Sequence, residues 1–221
     1  MTEFEDTYRH LLSLDTPLRR EWLVSRWPAG VSTVHWWLAL IERGVADVRR
    51  QRLGLPAPEP RGDVGLAASL IEWALDEGFP PAHAVGPLVQ LATVSLGSGD
   101  RIEDLPAAVR PDGIARLALG SVPMSRREAL DRAARLRAIP ITEDDFVKPG
   151  EDITERLRAI SQTDDYRDYH RLLDIARMLA DLTPIIDLIK DAELVARLQD
   201  WTAALPDLDP VPPHVGGDAA G

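Results

Sequence analysis

Apolar residues recur along the chain at the three-and-four spacing of a helix, and no run of β-branched residues alternates with polar ones, so the pattern predicts helices and no sheet. The clearest stripe is Val34, Trp37, Leu38, Ile41, Val45 and Val48, which places an amphipathic helix over residues 32–52. Between Val64 and Leu75 the apolar residues occupy two adjacent faces, the signature of a helix surrounded by others. Residues 79–99 carry no Asp, Glu, Lys or Arg. Pro80, Pro81, Gly86 and Pro87 interrupt that stretch, and Leu88 to Leu96 falls short of the ~20 residues that cross a membrane. A buried helix starting near Pro87 is expected instead. Further helices are predicted near 101–109, 125–138, 151–162, 165–181 and 184–204. Two apolar stripes, Leu172/Ile175/Ala176/Leu179 and Leu182/Ile185/Ile186/Ile189, meet at Thr183 and Pro184 and suggest a kink or an α-hairpin.

Helix starts are written by short polar residues followed three positions later by an acid: Thr2 with Glu5, Asp100 with Glu103, Ser125 with Glu128. Thr16-Pro17 and Thr183-Pro184 place proline at a first helical position, where its missing N–H costs nothing. Residues 54–62 hold three prolines and two glycines. They read as a linker between an N-terminal helical subdomain, 1–53, and a main helical bundle, 63–205. Residues 206–221 have no periodicity and read as a disordered tail. The fold class expected is all-α, an irregular multi-helix bundle of about nine to eleven helices.

Composition narrows the chemistry. The 221 residues are 45% hydrophobic and 28% charged, ordinary for a globular chain. With no cysteine, disulfides, thiolate metal sites and cysteine nucleophiles are excluded. A net charge of −11 repels phosphate, which disfavours nucleic acid and anionic membranes as partners. No basic and apolar signal segment precedes Phe4, so a cytoplasmic protein is expected. No cofactor is expected, and the partners expected are another protein or further copies of the chain.

Three features bear on function. Four of the six tryptophans, Trp22, Trp27, Trp36 and Trp37, fall within sixteen residues. Trp37 is on the apolar stripe and Trp36 is about 100° away beside Leu40 and Arg43, so one of them is expected to reach a second surface. Since tryptophan and arginine are enriched at binding hot spots, Trp27, Trp36, Arg26 and Arg43 are candidate partner-binding residues of a non-catalytic adaptor, accessory or assembly protein. On that expectation Trp36→Ala would impair partner capture and spare stability, whereas Trp37→Ala would damage the core.

The stretch from Leu23 to Trp37 also resembles a helix-turn-helix with Gly30, Val31 and Ser32 at the turn. Residues 17–62 hold eight arginines against four acids, a local excess of +4. This second reading makes Arg26, Arg43, Arg49 and Arg50 one exposed basic face of a DNA-binding regulator. Third, Asp164, Asp165 and Asp168 resemble the DDxxD motif of all-helical isoprenoid diphosphate enzymes. The resemblance implies magnesium held by those carboxylates and a diphosphate substrate. The plainer reading makes Asp164 and Asp165 first-turn acids favoured by the helix dipole, with Asp168 on the exposed face.

No histidine pair has ligand spacing, although Tyr166, His170 and Asp174 sit one turn apart and make a possible polar trio. No phosphate-binding loop or nucleophile elbow occurs. An internal similarity also occurs, of the kind that an Arg-, Leu- and Ala-rich chain produces by chance. Arg-Leu-Arg-Ala-Ile occurs at 135–139 and again at 156–160, each followed by a threonine and acids.

Overall fold

A computed structural model describes residues 3–14, 16–25, 32–56, 62–139 and 152–208. Those residues form an all-α protein: α1 Glu3–Ser13, α2 Thr16–Ser25, α3 Thr33–Arg52, α4 Val64–Asp76, α5 Pro81–Gly97, α6 Pro111–Ser121, α7 Arg126–Arg137, α8 Ile153–Ser161, α9 Asp164–Asp181, α10 Ala192–Thr202 and α11 Leu205–Leu208. No strand occurs among the described residues, and none of their helices is long and apolar enough to cross a membrane.

The chain divides into two compact units. One comprises residues 1–121 with 181–195, the other 122–180 with 196–221. The division therefore falls elsewhere than the proline-rich segment, because α3 packs against both α4 and α5. Residues 57–61 of that segment lie outside the described residues.

In the first unit α4 is capped by Asp63, whose carboxylate accepts from the Leu66 amide at 2.7 Å. It buries Leu66, Ala67, Ala68, Leu70, Ile71 and Ala74, as a helix apolar on two faces must. Gly44 of α3 faces it, and a Cβ there would meet Leu70 Cδ1 at 3.3 Å and the Ala67 Cβ at 3.4 Å. The missing side chain lets the two backbones approach.

The central helix α5 begins at Pro81, six residues before the expected start, and keeps Pro87 inside it. Pro87 removes one ladder hydrogen bond, a cost of ~3 kcal/mol in an exposed helix. Burial of Ala84, Val85, Leu88, Leu91 and Ala92 offsets it.

Residues 101–109 are two 3₁₀ turns rather than a helix, Ile102–Asp104 and Ala107–Val109, divided by Pro106. Asp100 caps neither and is instead paired with Arg52 at 2.5 Å. Likewise 184–204 is not one helix. A 3₁₀ turn spans Thr183–Leu188, extended backbone follows at Ile189, and α10 starts at Ala192.

In the second unit Ser125 caps α7 as expected, accepting from the Glu128 amide at 3.2 Å. The expected tail begins three residues late: Pro206 to Leu208 belong to α11, and Leu208 is fully buried. Residues 209–221, the rest of that expectation, lie outside the described residues, as does Thr2 of the first capping pair.

Candidate functional site

The tryptophan region is interior. On α3, Trp36, Leu40, Arg43 and Asp47 follow at intervals of three and four, so they form one continuous face. Helix α1 supplies side chains to it. The Phe4 ring meets Trp36 edge-on at 5.6 Å, Glu5 accepts from Arg43 at 2.9 Å, and Tyr8 donates its hydroxyl proton to Asp47 at 3.1 Å. Trp36 is only 6% exposed and Trp37 is fully buried. The expectation that one of them reaches a second surface is thus corrected: α3 is covered on two sides, by α1 on one and by α4 and α5 on the other.

Arg43 is equally committed. Its guanidinium lies 5.3 Å above the Tyr8 ring and contacts Asp47 at 3.3 Å as well as Glu5. Asp47 is buried, and the Oδ2 that accepts from the Tyr8 hydroxyl also accepts from the Gly62 amide at 3.4 Å. A Cβ on Gly62 would come within 2.8 Å of the Tyr8 hydroxyl, which explains glycine there. Burial, followed by the Asp47 charge, pushes the Tyr8 hydroxyl well above the ordinary tyrosine range, so it stays a proton donor.

The single basic face expected of Arg26, Arg43, Arg49 and Arg50 is not formed as such. Arg49 and Arg50 are exposed, Arg50 donating to the Pro56 carbonyl at 3.0 Å, while Arg43 turns inward. Arg26 and Trp27 lie outside the described residues.

The second unit holds an open cleft of about 560 Å³ along the seam of α7 and α9. At its centre is Asp168, 6% exposed, one turn before Leu172 on the apolar stripe of α9. Arg132 and Arg135 both donate to it, Arg135 at 2.6 Å, and Arg171 approaches to 3.6 Å. Glu128 accepts from Arg132 at 2.5 Å, and Asp165 pairs with Arg135 at 3.0 Å. The hydrogen bond from Arg132 to Glu128, followed by its bond to Asp168, raises the guanidinium pKa further still.

This geometry corrects two expectations. Asp168 is not on the exposed face, and the three aspartates do not open toward a common metal. Asp168 and Asp165 are spent on arginines, while Asp164 is paired with Arg167 at 3.2 Å. Among the described residues no group of three His, Asp or Glu side chains is placed to hold a metal ion. The signal that identifies Asp168 was present in the sequence, since 168, 172, 175 and 179 share one helical face.

The Tyr166 and His170 rings meet at 4.3 Å, a ring contact within α9.

Helix α8 presents the other feature of this unit. Asp152 caps it, accepting from the Thr154 amide at 2.8 Å. Ile153, Leu157 and Ile160 form an apolar stripe at helical spacing, yet no residue of the helix is buried. Ile153 is 53% exposed and Leu157 43%. The sequence predicted the helix but not its lack of cover, because an amphipathic pattern specifies a face and not what lies against it.

No family model, curated protein or solved structure matches the chain.

Proposed function

We propose that this is a non-catalytic α-helical interaction protein whose partner-binding face is α8 rather than the tryptophan region. The observation that carries the reading is an amphipathic helix of nine residues, capped and formed, with Ile153 and Leu157 of its apolar stripe in solvent. A helix this short is marginal in water unless its apolar face packs against something, so an exposed stripe suits a surface that a partner covers. The α7–α9 cleft supports the same reading from the other side. Its carboxylates and guanidiniums neutralise one another, and Ser125, its hydroxyl residue, is engaged as a helix cap. Such a lattice fixes two helices and offers no poised nucleophile or base.

A photo-crosslinking residue at position 157 of the full chain, irradiated in host cells, tests the proposal. One discrete crosslinked protein product is expected, absent when the probe is moved to the buried position 172. Crosslinks found only within the same chain would overturn it.

A further inference from the structure

We infer that α8 recognises a short helical segment bearing two leucines one turn apart and an acid, the kind of segment this chain itself carries as α11. The inference rests on α8 being the partner-binding face, and it comes from the repeated pentapeptide. Arg-Leu-Arg-Ala-Ile lies at the end of α7 as residues 135–139 and within α8 as residues 156–160.

The two copies have opposite environments. Leu136 in α7 is 3% exposed, whereas its counterpart Leu157 stands in solvent. α7 is covered by α11, whose sequence is Leu205-Pro206-Asp207-Leu208. At that junction Arg137 donates to the Asp207 carbonyl, and Leu208 is completely buried. The chain therefore contains a worked example of how this pentapeptide is closed: α11 packs on α7, and a guanidinium caps a carbonyl of the incoming turn.

On α8 the same pentapeptide has its leucine exposed, Leu157 at 43%. Leu157 corresponds to Leu136 and the exposed Arg158 to Arg137. Ile153 stands where α7 has Arg132, so the α8 face is longer and more apolar than the face that α11 already satisfies. Arg158 flanks the stripe and favours an acid between the leucines, as Asp207 lies between Leu205 and Leu208. Size also selects the occupant. Nine residues extend only ~14 Å, too little for the roughly 1,200 Å² or more of a stable dimer but enough for a short helical segment.

The test uses the full chain and a fluorescein-labelled synthetic peptide with the sequence of residues 203–210, followed by anisotropy. Binding is expected, weakened about tenfold or more by Leu157→Glu, and abolished when both peptide leucines are alanine. Because Leu157 is exposed, that variant should keep the wild-type melting temperature and helical content, so loss of binding cannot be ascribed to unfolding. Arg158→Glu should also weaken the peptide. Binding that ignores Leu157→Glu would overturn the inference, since the peptide would then be exchanging with α11 on α7. Failure of the peptide to bind, with a partner or a second copy still crosslinking through position 157, would overturn the inference and leave the interaction reading standing. Absence of both peptide binding and crosslinks would overturn the two together.

Discussion

Trp36 and Trp37 are neighbours on α3 that point about 100° apart, and both are covered because α3 has helices on two sides. Trp36→Ala and Trp37→Ala should therefore each cost about 3–5 kcal/mol in urea denaturation, the range for large aromatic truncations in a core. A Trp36 variant as stable as wild type would contradict the packing with Phe4. Glycines give a sharper contrast. A Cβ at Gly113 would lie 2.2 Å from the Ala107 carbonyl oxygen, a backbone atom that cannot swing aside. Gly113→Ala should destabilise by about 1–3 kcal/mol. At Gly120, also in α6, a Cβ meets nothing within 4 Å, and Gly120→Ala should stabilise by about 0.5–1 kcal/mol through helix propensity. The same denaturation series reads both. At this scale the sequence told which residues are apolar but not how many sides of a helix are covered. That depends on α1, whose Phe4, Glu5 and Tyr8 come more than thirty residues before the face they close.

Helices were legible where periodicity is clear: α3, α4, α7 and α8 begin within a residue or two of the positions the pattern predicts, and Ser125 marks the start of α7. Proline is where pattern and structure part. The pattern starts a helix at Pro87, although the buried residues around it carry α5 through that position, and it gives 101–109 as one helix, although Pro106 divides two 3₁₀ turns. The candidate site followed the same logic. Three aspartates were visible as a motif, while the arginines that claim Asp165 and Asp168 lie some thirty residues earlier on α7. Asp168→Ala should cost about 1–3 kcal/mol in thermal or urea denaturation. It strands guanidiniums that a buried carboxylate now neutralises, and the partial exposure of Arg132 and Arg135 moderates the loss. Added magnesium should leave the melting temperature of the wild-type protein unchanged, because a ligand stabilises only a native state that binds it. A magnesium-dependent rise would reinstate the aspartates as a metal site.

At the scale of the molecule, the first unit is joined across more than seventy residues of sequence. Asp112 accepts from the Lys190 amide at 2.8 Å, Lys190 pairs with Glu103 at 3.2 Å, and Arg116 with Asp191 at 3.2 Å. Two of these carboxyls are held below their ordinary range. For Asp191 the main cause is the Arg116 hydrogen bond, followed by the Leu194 amide; for Glu103 it is its own backbone amide, followed by Lys190. Depressed folded-state values mean that their contribution is complete above the unfolded carboxyl values of about 4 and is lost as pH falls through the lower folded ones. Unfolding midpoints measured from about pH 5 down to pH 2 should therefore decline. Asp191→Asn should flatten part of that decline, and an unchanged profile would argue against the pairing with Arg116.

These clasps also fix an order of events during synthesis. The first unit takes its last piece from residues 181–195 and the second from 196–221, so each is interrupted in the chain by part of the other. A ribosome that has made only the first 180 residues has finished neither. The nascent chain must hold α3 to α6 without their closing segment until the final stretch emerges, which makes that interval the one in which a chaperone would have most to shield.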